Sequence, residues 1–566
     1  MKAAEALAAC METAGVKKVY GVVGTSVVSF VNALYQFRER IRYISCRHEQ
    51  VCASMADAEG RLTGRPGISV SHSGPGTLNT AISLAIAWKD SSPMVAVSGA
   101  VARKLRGLGG FLEVEHGDVF KPICKAVYRV EEAGTITELF AAAWRQALSP
   151  PRGPVLLEIP EDIWLEEISP DLGKLNLEAE SPPLINEEDV REALTALGNS
   201  ERPVILSGGG VVQSNASPDL VRLADTLGVP VVTTGNGRGS IPEDHPLCYG
   251  RAGFAGGNPV ADHALSRADV ILIIGATLSE TTTYAQTWDV PGKLVIVNAD
   301  RDALKRERRP QAVHKIHGDA LVFIRAARNL LLGMGLSNAL QARMTGWKQE
   351  LEEKKIQWKD MLDSSASPDR DPVSAGFVMK TLRGMLPRNA IITTGQGVHL
   401  VYANDYLACY EPGTFLSSNN FGAMGFGFPS ALAAKLLYPE RQVFAILGDG
   451  DFMMTLQDME TMVREKIGVK IIVINDNSYR VLWLTQQMVL GGASYGTEHG
   501  NPDMMALANA FGIQGFRIRS ATDVGRVLGE ALSTDAPALI EVLIDKQDMV
   551  PTNMEAVMKM RGLGPQ

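Results

Sequence analysis

At 566 residues the chain is too long for one hydrophobic core and requires several domains of ordinary size. Hydrophobic residues make up 45% and charged residues 21%, the balance of a globular protein rather than a disordered or fibrous one. The net charge of −8, with Lys and Arg scattered, argues against nucleic acid or an anionic membrane as the main partner, and no apolar run reaches the roughly 18–20 residues that span a bilayer.

In chain order, the first 24 residues read as a helix followed by a buried strand and lack the charged, apolar and cleavage regions of a signal peptide. Short β-branched runs then alternate with longer helical patterns: KKVYGVV, GISVSHS, PMVAVSG, PVILSGG, DVILIIG, KLVIVNA, QVFAILG and VKIIVIN. Strands this uniformly apolar are buried on both faces, and their alternation with helices predicts doubly wound parallel sheets. Two seams divide the pattern. One is the acidic, Pro-containing stretch at 176–190; the other runs from Trp347 to Arg370 and reads as a solvated helix and a linker. The expected fold class is α/β with three such domains, over 1–180, 188–345 and 366–566. Six cysteines without a CxxC pair or zinc spacing read as reduced thiols of a cytoplasmic protein.

The strongest local signal lies in the last third. The strand QVFAIL runs into Gly448, Asp449, Gly450 and Asp451, and the following FMMTLQDMETMVREKI reads as a helix. The next strand ends in Asn475, Asp476, Asn477 and Ser478, and Asp476 lies 27 residues after Asp449, the length of one βαβ unit. Both carboxylates therefore fall at C-terminal strand ends on one sheet edge, where open α/β sheets bind ligands. Two acidic oxygens, a backbone carbonyl and a diphosphate suit octahedral Mg2+. Gly448 and Gly450 let backbone approach phosphate, and a helix start offers free N–H groups. A lone Asp-Gly marks only a turn; the paired strand ends carry the inference.

With that pair in place the sequence resembles the thiamine diphosphate-dependent enzymes. The resemblance implies that Asp449, the Asp476 side chain and the main-chain oxygen of Ser478 bind Mg2+, with Asp476 a variant where Asn is commoner. It also requires a glutamate just after a strand of the first domain. Glu49 answers: it follows YISCRH and opens the helix QVCASMADAEGRLTG. As a lone residue Glu49 reads as a helix N-terminal charge favoured by the dipole. In the family such a carboxyl shares a proton with the cofactor's aminopyrimidine and drives activation of the thiazolium C2. The loop at 71–79 resembles the family's SGPG turn, placing Pro75 and Asn79 near that ring; alone it reads as a Gly-Pro turn.

Nearly the whole chain is similar to the acetolactate (acetohydroxyacid) synthase branch, through RHEQVCASMADAEGRLTGRPG, GPVLLEIPEDI, GVPVVTTGNGRGSIPEDHPLCYGRAG, GQGVHLVYA and NNFGAMGFGFPSALAAKL. The resemblance implies pyrimidine-binding, central and diphosphate-binding domains. Gly395 and Gln396 then meet the diphosphate, Gly422 the pyrimidine, Met424 supports the bent cofactor, and Tyr479 and Val481 lie over the thiazolium. Gly448, Gly450 and Asp451 complete the cofactor set. Several positions depart from the branch. Gln396 is followed by Gly397, with His399 displaced by two. Asp451 stands where Ser or Gly is usual. Leu112 replaces the Gln of a Phe-Gln-Glu segment, giving Phe111, Leu112, Glu113 and a more apolar cavity. The central domain has Ala276–Glu280 in place of a FAD-holding Arg-Phe-Asp-Asp-Arg run. Its glycines at 208–210 and its Asn298, Ala299 and Asp300 fit a nucleotide or plain turns equally, so FAD or ADP is left open and not favoured.

The function implied is decarboxylation of a 2-oxo acid and capture of the resulting carbanion by a second carbonyl compound, two pyruvates giving acetolactate as the leading case. Rivals are a simple decarboxylase, an acetyltransferase of the sulfoacetaldehyde type, for which GGFLEVEHGDVFK has some flavour, a 2-hydroxyacyl lyase, and a catalytically dead cofactor-binding relative. The substrates are small 2-oxo acids or aldehydes. The family implies a homodimer at least, with tetramers open, Glu49 coming from one subunit and the metal site from its neighbour. The tail from Asp548 reads as a lid or as a frayed end.

Overall fold

The continuous apolar runs become strands buried on both faces: GISVS, MVAVSGA, PVILS and VILII have no exposed position in the computed structural model. The structure describes residues 1–253, 256–283, 288 and 290–549, so the tail from Val550 lies outside the described residues.

By internal contact the chain divides into two units. The first comprises Met1–Ser181 with Phe421–Glu440 and Met453–Val469. Its sheet consists of β1 (Lys18–Gly21), β2 (Arg42–Ser45), β3 (Gly67–Ser71), β4 (Met94–Ala100), β5 (Ala126–Arg129) and β6 (Pro154–Pro160). All neighbours are parallel, in the order β2-β1-β3-β4-β6-β5. The order reverses between β1 and β3, which opens a crevice at their C-terminal ends. The helix Gly427–Leu437 joins this unit by packing along the helix Glu49–Thr63: the Arg61 guanidinium lies 4.8 Å from the Phe426 ring and the Tyr438 hydroxyl donates to the Leu62 carbonyl.

The second unit carries two sheets. One contains β7 (Pro203–Ser207), β8 (Val231–Thr233), β9 (Cys248–Arg251), β10 (Val270–Ile274), β11 (Lys293–Asn298) and β12 (Ala312–His317), in the order β12-β11-β10-β7-β8-β9. The other contains β13 (Ile391–Thr394), β14 (Phe415–Ser417), β15 (Val443–Gly448), β16 (Lys470–Asn475), β17 (Gln514–Ile518) and β18 (Ala538–Leu543), in the order β14-β13-β15-β16-β18-β17. That is the permutation of the first unit's sheet, and its reversal falls between β13 and β15. At the reversal of the middle sheet, Gly208 and Gly210 donate their N–H groups to the carbonyls of Ile274 and Gly275, so two backbones meet there. Asn298 bonds the Ala276 carbonyl and Asp300 caps the helix Arg301–Arg306.

Two expectations need correction. The charged helix, Thr345–Ser365, is not wholly solvated: Trp347, Leu351 and Trp358 are buried in the core over one face of the middle sheet. Their spacing of four and seven residues puts them on one stripe, which the surrounding Lys and Glu conceal in composition. The helix expected after Asp451 is broken into a single turn at Asp449–Phe452, a 3-10 turn at Leu456–Asp458 and a short helix at Met459–Arg464. The Asp458 carboxylate accepts from the Thr461 hydroxyl (2.8 Å) and the Arg47 N–H (2.9 Å), starting the last piece afresh. All six cysteines are free and buried. Among the described residues no single helix is long and apolar enough to cross a membrane.

Candidate active site

In the first unit the site residues gather at the C-terminal ends of β2 and β3. His48 caps the helix Glu49–Thr63 through its ring, Nδ1 accepting from Gln50 N–H (3.1 Å), and Glu49 takes the first helical position. Its side chain is buried, at 8% exposure. Asn79 Nδ2 donates to Glu49 Oε2 (2.9 Å). The other oxygen, Oε1, lies 3.1 Å from where a Cβ on Gly76 would stand, and His72 Cδ2 lies 2.5 Å from the same point. Gly76 thus leaves room for the carboxylate, one of whose oxygens is held while the other faces a position with no side chain. Pro75 and Asn79 begin and end the short helix after β3, and both are exposed in the single chain. Gly422 has φ +73° and is exposed, and Met424 is half-buried in the turn before Gly427–Leu437. A Cβ on Gly425 would lie 2.9 Å from Gln50 Nε2, so this turn abuts the residue after Glu49. The first unit therefore brings Glu49, Gly76, Asn79 and the Met424 turn together.

Asp458, which fixes the Arg47 backbone two residues before Glu49, was not anticipated. Burial pushes its carboxyl up to about 6, against the lowering by its two donors. A carboxyl raised on folding contributes stability fully below its ordinary 3.8 and loses it as pH rises through 6. Relative to Asp458→Asn, the parent is expected to lose on the order of 2–3 kcal/mol of stability between pH 4 and 7. Denaturation of both proteins across that range measures it; parallel pH profiles would refute it.

In the second unit the residues gather at the reversal between β13 and β15. The register pairs Leu447 with Val473 and Gly448 with Ile474, so the loops beginning at Asp449 and Asp476 leave adjacent strand ends. Asp449 Oδ1 accepts from Gly450 N–H (2.9 Å) and Oδ2 from Asn501 Nδ2 (2.7 Å), with His499 Nε2 at 3.3 Å. Asp476 Oδ1 accepts from the Ser478 hydroxyl (2.6 Å), and Arg480 Nε lies 3.5 Å from Oδ2. Burial and the charge of Asp449 push the Asp476 carboxyl above its ordinary range, while Ser478 and Arg480 pull it down. Two buried carboxylates near enough to repel one another fit a divalent cation, as does Asn501 Oδ1, a buried acceptor without a hydrogen-bond partner among the described residues. No group of three or more His, Cys, Asp or Glu side chains suited to a metal occurs among the described residues; two carboxylates plus main-chain and diphosphate oxygens is the set the sequence implied.

Gly395 follows β13 directly, and Gln396 Nε2 donates to the Ser418 carbonyl (2.7 Å). A Cβ on Gly395 would meet the Asp451 carboxylate at 2.1 Å, and one on Gly448 would meet His399 Nδ1 at 2.8 Å. Tyr479 packs its ring 4.7 Å from that of His499. Val481 lies in the helix Arg480–Met488, half-buried against the core of the third sheet. His499 and Asn501 sit in a loop without periodicity about fifty residues after Asp449, and only the sheet topology reveals their proximity.

Three family profiles match: "Thiamine pyrophosphate enzyme, N-terminal TPP binding domain" over residues 1–120, the central domain over 190–327, and the C-terminal TPP binding domain over 395–542. A probable acetolactate synthase large subunit of Methanocaldococcus jannaschii is 33% identical over 560 residues, 97% of this chain and 93% of that one. The chain belongs to the thiamine pyrophosphate enzymes, in their acetolactate synthase-like branch. The acetolactate synthase isozyme 2 large subunit of Escherichia coli is 29% identical, covering 97% of each chain, and the acetolactate synthase large subunit of Corynebacterium glutamicum is 29% identical over 97% of this chain and 88% of its own. As a member of this family the protein is a thiamine diphosphate-dependent enzyme acting on carbon–carbon bonds, coupling decarboxylation to carboligation.

Two of the chain's departures from that branch meet in space. His399 Nε2 lies 3.4 Å from Asp451 Oδ2, both side chains buried. The Asp451 carboxylate, where Ser or Gly is usual, is thus turned against Gly395 with an imidazole beside it.

Proposed function

We propose that the enzyme condenses two molecules of pyruvate to acetolactate with release of CO2, using thiamine diphosphate held through Mg2+. The similarity to acetolactate synthases over 97% of the chain carries this reading. When bound, thiamine diphosphate supplies a nucleophilic carbon and an electron sink for the decarboxylated substrate. Asp449, Asp476 and the Ser478 carbonyl hold Mg2+. Gly395, Gln396, Gly448, Gly450 and Asp451 form the diphosphate loops, Gly395 and Gly448 leaving room for the Asp451 carboxylate and the His399 ring beside those loops. Pro75, Asn79, Gly422 and Met424 border the pyrimidine, and Tyr479 and Val481 the thiazolium side. Glu49, with Oε2 fixed by Asn79, would hold or release a proton at Oε1, which faces the side where the pyrimidine would bind. Three domains over 1–180, 188–345 and 366–566 perform the pyrimidine-binding, central and diphosphate-binding roles. The active unit is a homodimer in which Glu49 serves the metal site of the neighbouring subunit, and six free buried thiols support a cytoplasmic location.

A second reading rests on Leu112. Its φ is +68° and its carbonyl accepts from the Ser73 hydroxyl (3.1 Å), while its side chain offers no amide to an acceptor. That favours capture of the carbanion by something other than pyruvate, as in the acetyltransferases. The purified protein with thiamine diphosphate, Mg2+ and pyruvate is expected to release CO2 and form acetolactate, both abolished by EDTA. Acetaldehyde as the sole product would make it a decarboxylase, and CO2 release with acetolactate formed only as a minor product beside another acyl acceptor would favour the second reading; absence of CO2 would overturn pyruvate as donor.

A further inference from the structure

The segment GGFLEVEHGDVFK contributes a residue that the proposed reaction does not use. His116 is fully buried, and its Nε2 accepts from the Gly74 N–H (3.1 Å). The ring proton therefore sits on Nδ1, where it is donated to Glu158 Oε1 (2.9 Å) on β6. Glu158 is 1% exposed, and its other oxygen faces Arg129 Nη1 at 3.4 Å. An Arg129–Glu158–His116 chain thus ends on the backbone of the turn that leads to Pro75, Gly76 and Asn79.

Gly74 cannot yield to a misplaced neighbour. Its φ is +66°, and a Cβ there would meet the Leu112 carbonyl oxygen at 2.6 Å. Ser73 on its other side is pinned twice, its N–H by Ser26 Oγ (2.8 Å) and its hydroxyl by the Leu112 carbonyl. Two residues beyond Gly74, Gly76 borders Glu49 Oε1, and five beyond, Asn79 holds Oε2.

We infer that His116 is a positioning residue for Glu49, acting through the Gly74 turn; the inference rests on Glu49 being the proton-handling carboxylate. The neutral imidazole is suited to the task because one ring both accepts from a buried backbone amide and donates to a buried carboxylate. An aliphatic residue of similar size would leave both groups unpaired.

Two substitutions separate positioning from mere packing, since each keeps one of the two bonds. His116→Gln can place its carbonyl where Nε2 was and retain the Gly74 N–H. His116→Asn can retain the donor to Glu158 and offers nothing to Gly74. His116→Asn is expected to lower kcat on the order of 10²-fold with KM changed less than about threefold, the cost of a misplacement near 1 Å. In the cofactor-free protein it should also speed hydrogen exchange of the peptide spanning 72–79. His116→Gln should recover at least about tenfold in kcat and most of the protection. Equal behaviour of the two variants, or unchanged exchange in His116→Asn, would overturn the inference. Glu49→Gln is the control: if it abolishes turnover while His116→Asn is intact, only the positioning role falls. If Glu49→Gln stays active, the reading of Glu49 falls and the inference with it. Should neither variant at 116 fold, the parent still decides, because the Gly74 amide must exchange far more slowly than that of an exposed position such as Leu184.

Discussion

Glu49→Gln is expected to retain thiamine diphosphate and lose turnover. The amide is nearly isosteric, and its oxygen can still accept from Asn79 Nδ2, the bond that orients the native carboxylate at 2.9 Å. The helix N-terminus prefers a negative charge at this position by only about 0.3–1 kcal/mol, so folding should be little affected. What disappears is the capacity to take and return a proton at Oε1. General acid–base groups contribute on the order of 10²–10⁴-fold, and kcat should fall within that range. The cofactor dissociation constant should change less than about threefold, because the diphosphate loops are untouched. Calorimetric titration of cofactor into the variant, followed by product analysis, measures both quantities. Undiminished kcat would refute the assignment, whereas lost cofactor binding would make Glu49 an anchor rather than a proton carrier.

Physical reasons separate what was legible in the sequence from what was not. Strands buried on both faces announce themselves, because all of VILII and all but the last residue of PVILS are apolar, Ser207 being buried only with Ser240 as a hydrogen-bond partner. The metal loops were legible because one βαβ unit fixes the distance between Asp449 and Asp476, and β15–β16 register then puts their loops side by side. Glu49 became legible once that pair demanded a partner in the first domain. Pairings between distant segments leave no periodic trace. His116 and Glu158 lie 42 residues apart, and Arg47 and Asp458 are 411 apart, yet each pair is hydrogen-bonded. The break in the helix after Asp451 belongs with them, since the apolar pattern continues through Met453, Met454 and Leu456 while Asp458 is drawn off to the Arg47 backbone. The helix at 345–365 failed differently: three buried residues in twenty-one are outvoted by charge in any compositional average, although Trp347, Leu351 and Trp358 share one stripe.

The two carboxylates of the proposed metal site should respond unequally to loss of charge. Asp449 is the more committed ligand: it stands on the short turn that carries Gly448, Gly450 and Asp451, and the Gly450 N–H and Asn501 orient both of its oxygens. Asp449→Asn removes a charge there and substitutes an amide whose nitrogen cannot bind the cation. The Mg2+ concentration for half-maximal activity is expected to rise about 10–100-fold, with thiamine diphosphate affinity weakening in parallel because the ion links protein to diphosphate. Asp476→Asn installs the residue commoner in the family. It retains a carbonyl oxygen, and it relieves the repulsion that Asp449 exerts on the Asp476 carboxyl. Its effect on the Mg2+ requirement should stay within a few-fold, the loss of attraction for the cation being opposed by relief between the carboxylates. Titrating Mg2+ into EDTA-treated protein at fixed thiamine diphosphate, for the parent and both variants, tests the asymmetry. If the two variants rise equally, Asp476 is as indispensable as Asp449 and its charge is part of the site; if neither rises, the cation is not held at these strand ends.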